Sequence, residues 1–168
     1  MEIRKIIRIC LWTAFAVYGL ALIYILFLSR IGRYPYNSFW EYVKYSVQLI
    51  PFKTVWGYVE DYMEKGSWIL ALAFRNIAGN FVLFFPMGIF LPCLFPKMQK
   101  FCRNALISFC TIICVESIQL LLRCGIFDID DLILNISGWL LGFAALKIPF
   151  VDKILKKICV LSCEEKEN

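Results

Sequence analysis

Four stretches of this chain are apolar for as long as a bilayer is thick. Ile9 to Leu28 runs twenty residues and Asn76 to Pro96 twenty-one without a charged side chain. Asn104 to Leu122 carries only Glu116, and Leu132 to Phe150 only Lys147 near its end. A membrane span needs roughly twenty apolar residues. Inside hydrocarbon the backbone must bond within its own segment, which leaves helices and closed barrels. Nothing here alternates as the strands of a barrel do. The expected fold class is therefore all-α: an integral membrane helical bundle of four transmembrane helices, at about 9–28, 76–96, 104–122 and 132–150. Composition agrees, with 61% hydrophobic and 18% charged residues, where soluble domains carry about half and about a quarter. Residues 1–150 read as one transmembrane domain, followed by a basic then acidic tail over 151–168.

The first run, preceded by Arg4, Lys5 and Arg8, has the charge order of a signal peptide. Its apolar stretch is too long for one, and SRIGRYP after it offers no small-residue cleavage site, so it reads as an uncleaved span. Lysine and arginine set the expected orientation. Eleven of the eighteen lie in the N-terminal tail, the short second loop and the C-terminal end; six are spread over the long first loop, and Arg123 is alone in the third. Both termini are expected in the cytoplasm of a multi-pass plasma-membrane protein, with loops one and three outside. The net charge of +5 reads as topology and contact with anionic membrane lipids, and no nucleic-acid partner is expected.

The first loop, Ser29 to Arg75, is rich in tyrosine and tryptophan. Such rings favour the headgroup layer, so the loop is expected to lie on the outer face as short interfacial helices. Pro51 should break any helix through it. Gly66 to Phe74 is also apolar, which leaves open whether the second span begins earlier and takes in Arg75. With no histidine and no third and fourth thiol nearby, the Cys110/Cys114 and Cys159/Cys163 pairs among the eight cysteines argue against a zinc site. Cys10, Cys93, Cys110 and Cys114 lie within spans, and only Cys124 is expected to face outside. No metal or other cofactor is expected.

Placed on helices at 100° per residue, the polar residues fall into stripes. Glu116, Gln119 and Arg123 share one face of the third span, Asp131, Asn135, Gly138 and Gly142 one face of the fourth, and Asn76, Gly79 and Asn80 one face of the second. Asn76 and Asn80 open the second span, Arg123 closes the third and Asp131 opens the fourth. At 1.5 Å per residue Glu116 lies roughly 10 Å inward of Arg123. These depths converge on one outward-facing pocket. Its expected ligand-binding residues are Asn76, Asn80, Glu116, Gln119, Arg123, Asp128, Asp131 and Asn135.

Each residue type also has a packing explanation. Amides bond membrane helices to one another, and the G-x-x-x-G of Gly138 and Gly142 lets backbones approach closely. Asp128 and Asp130 follow Gly125 in a short loop, where a solvated turn is the plainer reading. Against that, a charge at membrane depth is costly enough to call for a partner or a polar cavity. Glu116 and Arg123 are candidates for an ion pair, but seven residues is long for a direct pair within one helix, which leaves Asp128, Asp131 or Arg75 to complete the network. In a functional site Arg123 would bind an anionic headgroup bidentately, with the acids setting its orientation. Alternatively, Glu116, Asp128 and Asp131 are the catalytic candidates, holding a divalent ion on a phosphate or serving as general acid and base. No nucleophile triad or phosphate-binding loop selects a reaction.

Two ordered blocks carry a family likeness. Asn76 to Pro92, N-I-A-G-N-F-V-L-F-F-P-M-G-I-F-L-P, fits the pattern G-N-x-x-L-F-x-P-x-G. Glu116 to Gly142 reads E-x-x-Q-x-x-x-R-x-x-x-x-D-x-x-D-x-x-x-N-x-x-G-x-x-x-G. A weaker third piece, L-I-P-F-K-T, lies at Leu49 to Thr54, where Gln48 stands in for an asparagine. In these blocks the chain resembles the VanZ-like family of small bacterial membrane proteins. The resemblance implies a four- or five-helix integral membrane protein and, for some members, resistance to glycopeptides such as teicoplanin.

Three functions follow as expectations. The favoured one is a non-enzymatic envelope factor that binds a lipid-linked or amphiphilic molecule and alters antibiotic access. The alternative is a membrane-embedded enzyme acting on polyprenyl-phosphate or phospholipid headgroups. The third is a structural partner subunit whose polar stripes only assemble helices.

Overall fold

A computed structural model describes residues 2–31, 36 and 38–157. The tail beyond Lys157, with Cys159 and Cys163, lies outside the described residues. Helix α1 (Glu2–Leu26) ends in a short 3₁₀ turn at Leu28–Arg30. Two short helices follow, α2 (Phe39–Tyr45) and α3 (Lys53–Lys65), then the long α4 (Trp68–Leu94), α5 (Phe101–Leu121), α6 (Ile129–Ala145) and α7 (Pro149–Lys157). Three helical segments, Lys5–Arg30, Trp68–Leu94 and Phe101–Leu121, are long and apolar enough to cross a membrane.

The second and fourth apolar runs differ from their expected limits, each for a local reason. Gly66, in the left-handed region at φ 87°, ends α3, and Trp68 to Phe74 then joins Asn76 onward in one helix. Arg75 consequently lies inside α4 and is exposed. At 27 residues the helix is about 40 Å long, so its first two turns can stand beyond a hydrocarbon core of about 30 Å. The fourth run is interrupted instead. Pro149 has no N–H and disfavours helix in the residue before it, so α6 stops at Ala145 and Pro149 opens α7. The 17 residues of α6 span about 25 Å, at the short limit for a crossing.

The tightest seam joins α4 and α6, which run parallel. A Cβ on Gly138 would run into the Phe81 carbonyl oxygen, one on Gly142 into that of Phe85, and one on Gly88 into that of Trp139. The G-x-x-x-G is thus a packing device here, with Gly88 as its counterpart. Around this seam Phe84, Met87, Leu91, Ile112, Trp139 and Phe143 form the buried core. Helix α1 touches the bundle along one side only, through edge-on contacts of Trp12 and Phe15 with Phe95 and Phe90. Its Tyr18 hydroxyl donates to the Leu83 carbonyl at 2.7 Å. Ile9, Val17, Leu20 and Ile23 stay exposed, as a face turned to lipid would be.

The long first loop is fastened to the end of the bundle where α1 and α5 finish and α4 and α6 begin. A two-residue parallel ladder pairs β1 (Val47–Gln48) with β2 (Phe127–Asp128). Tyr42, fully buried, donates to the Gly125 carbonyl, and Phe127 N donates to the Ser46 carbonyl at 2.8 Å. The chain turns at Pro51–Phe52, with Phe52 at φ 63°, before α3 starts at Lys53. Cys124, expected on the outer side, is fully buried at this end of the bundle.

Candidate functional site

Asp130 does most to hold the loop in place. Only 3% exposed, its carboxylate accepts from the backbone N–H of Phe52 at 2.5 Å, Thr54 at 2.9 Å and Val55 at 3.2 Å. Phe52 is the residue before α3 and Thr54 and Val55 lie in its first turn, where amides have no partner within their own helix, so an acid from α6 caps α3 and meets its positive end. Asp128 caps α6 itself, accepting from Asp130 N at 2.8 Å, and its other oxygen takes the Thr54 hydroxyl at 2.5 Å. The solvated turn expected at Asp128 and Asp130 is therefore corrected: both carboxylates are buried, because the 49–54 segment folds over them.

Between the loop and the bundle lies a cavity of about 560 Å³. Arg30, Lys44 and Lys53 line it together with Asp128 and Asp131, and Gln48, Thr54, Tyr58 and Asn76 add neutral polar groups. Burial, then the Asp131 carboxylate, push the Tyr58 hydroxyl above its usual range, against a hydrogen bond with Asn76. The phenol thus stays protonated and able to donate into the cavity.

Behind Asp131 is a second, drier layer. Glu116 on α5 accepts from the Asn135 amide on α6 at 3.1 Å. Asn80 on α4 faces the Asp131 carboxyl without closing a hydrogen bond of normal geometry. Five buried side-chain polar atoms lack a hydrogen-bond partner among the described residues. Four are here: Asn80 Nδ2, Glu116 Oε2, Asp131 Oδ1 and Asn135 Oδ1; the fifth is Ser46 Oγ. Each such atom costs about 1–3 kcal/mol of lost hydration, and native interiors carry few of them.

Six of the expected site residues thus stand at this end of α4, α5 and α6. Asn76, Asp128 and Asp131 line the cavity, with Asn80, Glu116 and Asn135 beneath. Two are placed elsewhere. Gln119 donates to the Leu26 carbonyl at 2.8 Å, tying α5 to the end of α1. Arg123 occupies the left-handed turn after α5 at φ 52°, its guanidinium 5.5 Å from the centre of the Phe39 ring. The cation whose charge reaches both Glu116 and Asp131 is Arg30. Arg30, Lys44 and Tyr58 were not anticipated, and nothing in their local sequence marks them. Lys53 and Thr54 had a signal, since both lie in the L-I-P-F-K-T block. Among the described residues, no group of three or more acidic or thiol side chains is arranged to hold a metal ion.

No curated protein and no solved structure matches the chain. The family model described as VanZ/LLP1 matches residues 15–151, which takes in the second half of α1, the fastened loop, the glycine seam and every residue of the cavity. On that match this chain belongs to the VanZ/LLP1 family, as a membrane protein with several helices fit to span the bilayer.

Proposed function

We propose that this protein is a four-span envelope factor of the bacterial plasma membrane, with both ends cytoplasmic and the cavity open to the outer leaflet. The aromatic loop, with Trp40, Trp56 and Trp68 exposed, lies in the headgroup layer. The cavity receives the head of a lipid-linked or amphiphilic molecule, and its occupancy lowers the access of teicoplanin-type glycopeptides to the cell surface. One observation carries this reading: a cavity of about 560 Å³, of the size of a small-molecule site, lined by charged groups at one end of an otherwise apolar bundle. The basic residues concentrated at the opposite end support the orientation.

The test pairs membrane abundance with teicoplanin susceptibility for wild type, Glu116→Gln, Arg123→Ala and Asp131→Asn in a sensitive host. Normal abundance with lost protection for the acid variants is expected. Arg123→Ala, away from the cavity, should act on abundance alone. Sensitivity unchanged by both deletion and overexpression would remove the resistance role.

The unpartnered Glu116 Oε2 favours one second reading, an enzyme acting on lipid phosphates through Glu116, Asp128 and Asp131. It requires turnover of a polyprenyl phosphate or phospholipid by the purified protein, abolished by Glu116→Gln.

A further inference from the structure

The charges around the cavity do not neutralise one another. Three cations and two carboxylates share its walls, yet the ion pair found among the described residues is elsewhere, between Lys65 and Asp61 on the surface of α3. Asp128 is engaged by Thr54 and by the start of α6. Asp131 lines the cavity with no ion-pair partner among the described residues, and its buried Oδ1 faces only the Asn80 amide, without a hydrogen bond of normal geometry. Directly behind it, Glu116 and Asn135, 3% and 1% exposed, each keep an oxygen without a donor. The cavity thus offers three cations, from the end of α1 and the first loop, and as its acidic floor the Asp131 carboxylate of α6, which has no ion-pair partner among the described residues.

From this division we infer that the cavity takes a zwitterionic amphiphile whose head carries a phosphate and a primary ammonium, the phosphate against Arg30, Lys44 and Lys53 and the ammonium against Asp131. An anion alone would leave the acidic floor unpaired and repelling it. A cation alone would meet the three basic side chains. A head with both charges satisfies each wall with a charge-assisted hydrogen bond, stronger than a neutral one. A primary ammonium brings N–H donors for the Asp131 carboxylate at the cavity wall. A quaternary ammonium brings none. This inference rests on the proposed binding role and names the chemical class of the ligand.

The experiment uses the full chain purified in detergent and short-chain lipids with identical tails. Affinities are measured for phosphatidylethanolamine, phosphatidylcholine and phosphatidylglycerol, with free phosphoethanolamine as the tail-less arm. Phosphatidylethanolamine should bind at least about tenfold more tightly than either other lipid, the value of one charge-assisted hydrogen bond. Free phosphoethanolamine should bind more weakly than its lipid; equal binding would show a soluble ligand and overturn the amphiphile. Asp131→Asn should erase the preference for ethanolamine over choline. Lys44→Gln and Lys53→Gln, at exposed positions that do not threaten folding, should weaken all three lipids and keep the preference. Equal affinity for the three lipids, tighter binding of phosphatidylglycerol, or a preference that survives in folded Asp131→Asn would each overturn the assignment. Retained glycopeptide protection alongside such a result would sink the ligand class alone, whereas lost protection with ethanolamine preference intact would sink the resistance role alone.

Discussion

Two clusters of buried polar side chains lie along α5 and α6, and they are built in opposite ways. At the end away from the cavity, Asn104 is fully buried and fully used. Its amide donates to the Met98 carbonyl at 2.8 Å, and its oxygen accepts from Trp139 Nε1 at 2.8 Å and the Ser108 hydroxyl at 3.2 Å. Near the cavity, Asn80, Glu116, Asp131 and Asn135 make one hydrogen bond of normal geometry among themselves and leave four atoms unmatched. The first cluster stabilises the bundle. The second costs the fold free energy, as the proposed binding site would, since such a site is kept for something other than packing. Amide and acid side chains at membrane depth thus have no single meaning; what separates glue from site is whether the surrounding groups satisfy them.

Breaking the seam that carries both clusters should have the largest effect. Gly138 stands on α6 between Asn135 and Trp139, one member of each. Gly138→Leu would push α6 away from the Phe81 carbonyl, at a cost of about 3 kcal/mol or more. The variant should fail to accumulate in membranes, as immunoblotting would show. Asn104→Leu should come next. It strands the Trp139 N–H and the Met98 carbonyl for about 2 kcal/mol, seen as a lower thermal midpoint in detergent with ligand binding kept in the folded fraction. Asp130→Asn removes the charge from the cap on α3 and should cost about 1 kcal/mol. Hydrogen exchange should speed up over 49–58 and stay unchanged in α5. The smallest change in stability is expected for Glu116→Gln, less than about 1 kcal/mol, because Gln keeps an oxygen for Asn135 and shifts no partner. If it instead lowers the midpoint as much as Asn104→Leu, the two clusters are alike and the contrast between them fails.

Much of the bundle was legible because helical period and bilayer thickness act locally. The apolar runs mark α1, α4 and α5, the proline rule anticipates the turn before α3, and the spacing of Gly138 and Gly142 marks a close approach. Element ends were less legible. Trp68 to Phe74 is apolar enough to belong either to a loop in the headgroup layer or to a span, and Gly66 decides between them. In the last run Pro149 outweighs hydrophobicity, so four long spans become three and one short helix. Asp128 and Asp130 read as solvated loop residues because their cover, Phe52 to Val55, comes from a distant part of the chain.

The sequence by itself determined that the chain is helical, that it belongs in a membrane, and that Asn80, Glu116, Asp131 and Asn135 face inward, since all three follow from composition and from a period of 3.6 residues. Only the tertiary structure decided which charge meets which. Helical phase puts Arg123 on the same face as Glu116, yet the turn after α5 carries it to Phe39 and leaves Arg30, from the end of α1, as the cation felt by both acids. That pairing depends on how loops separated by most of the chain fold over one end of the bundle, and no local period encodes it.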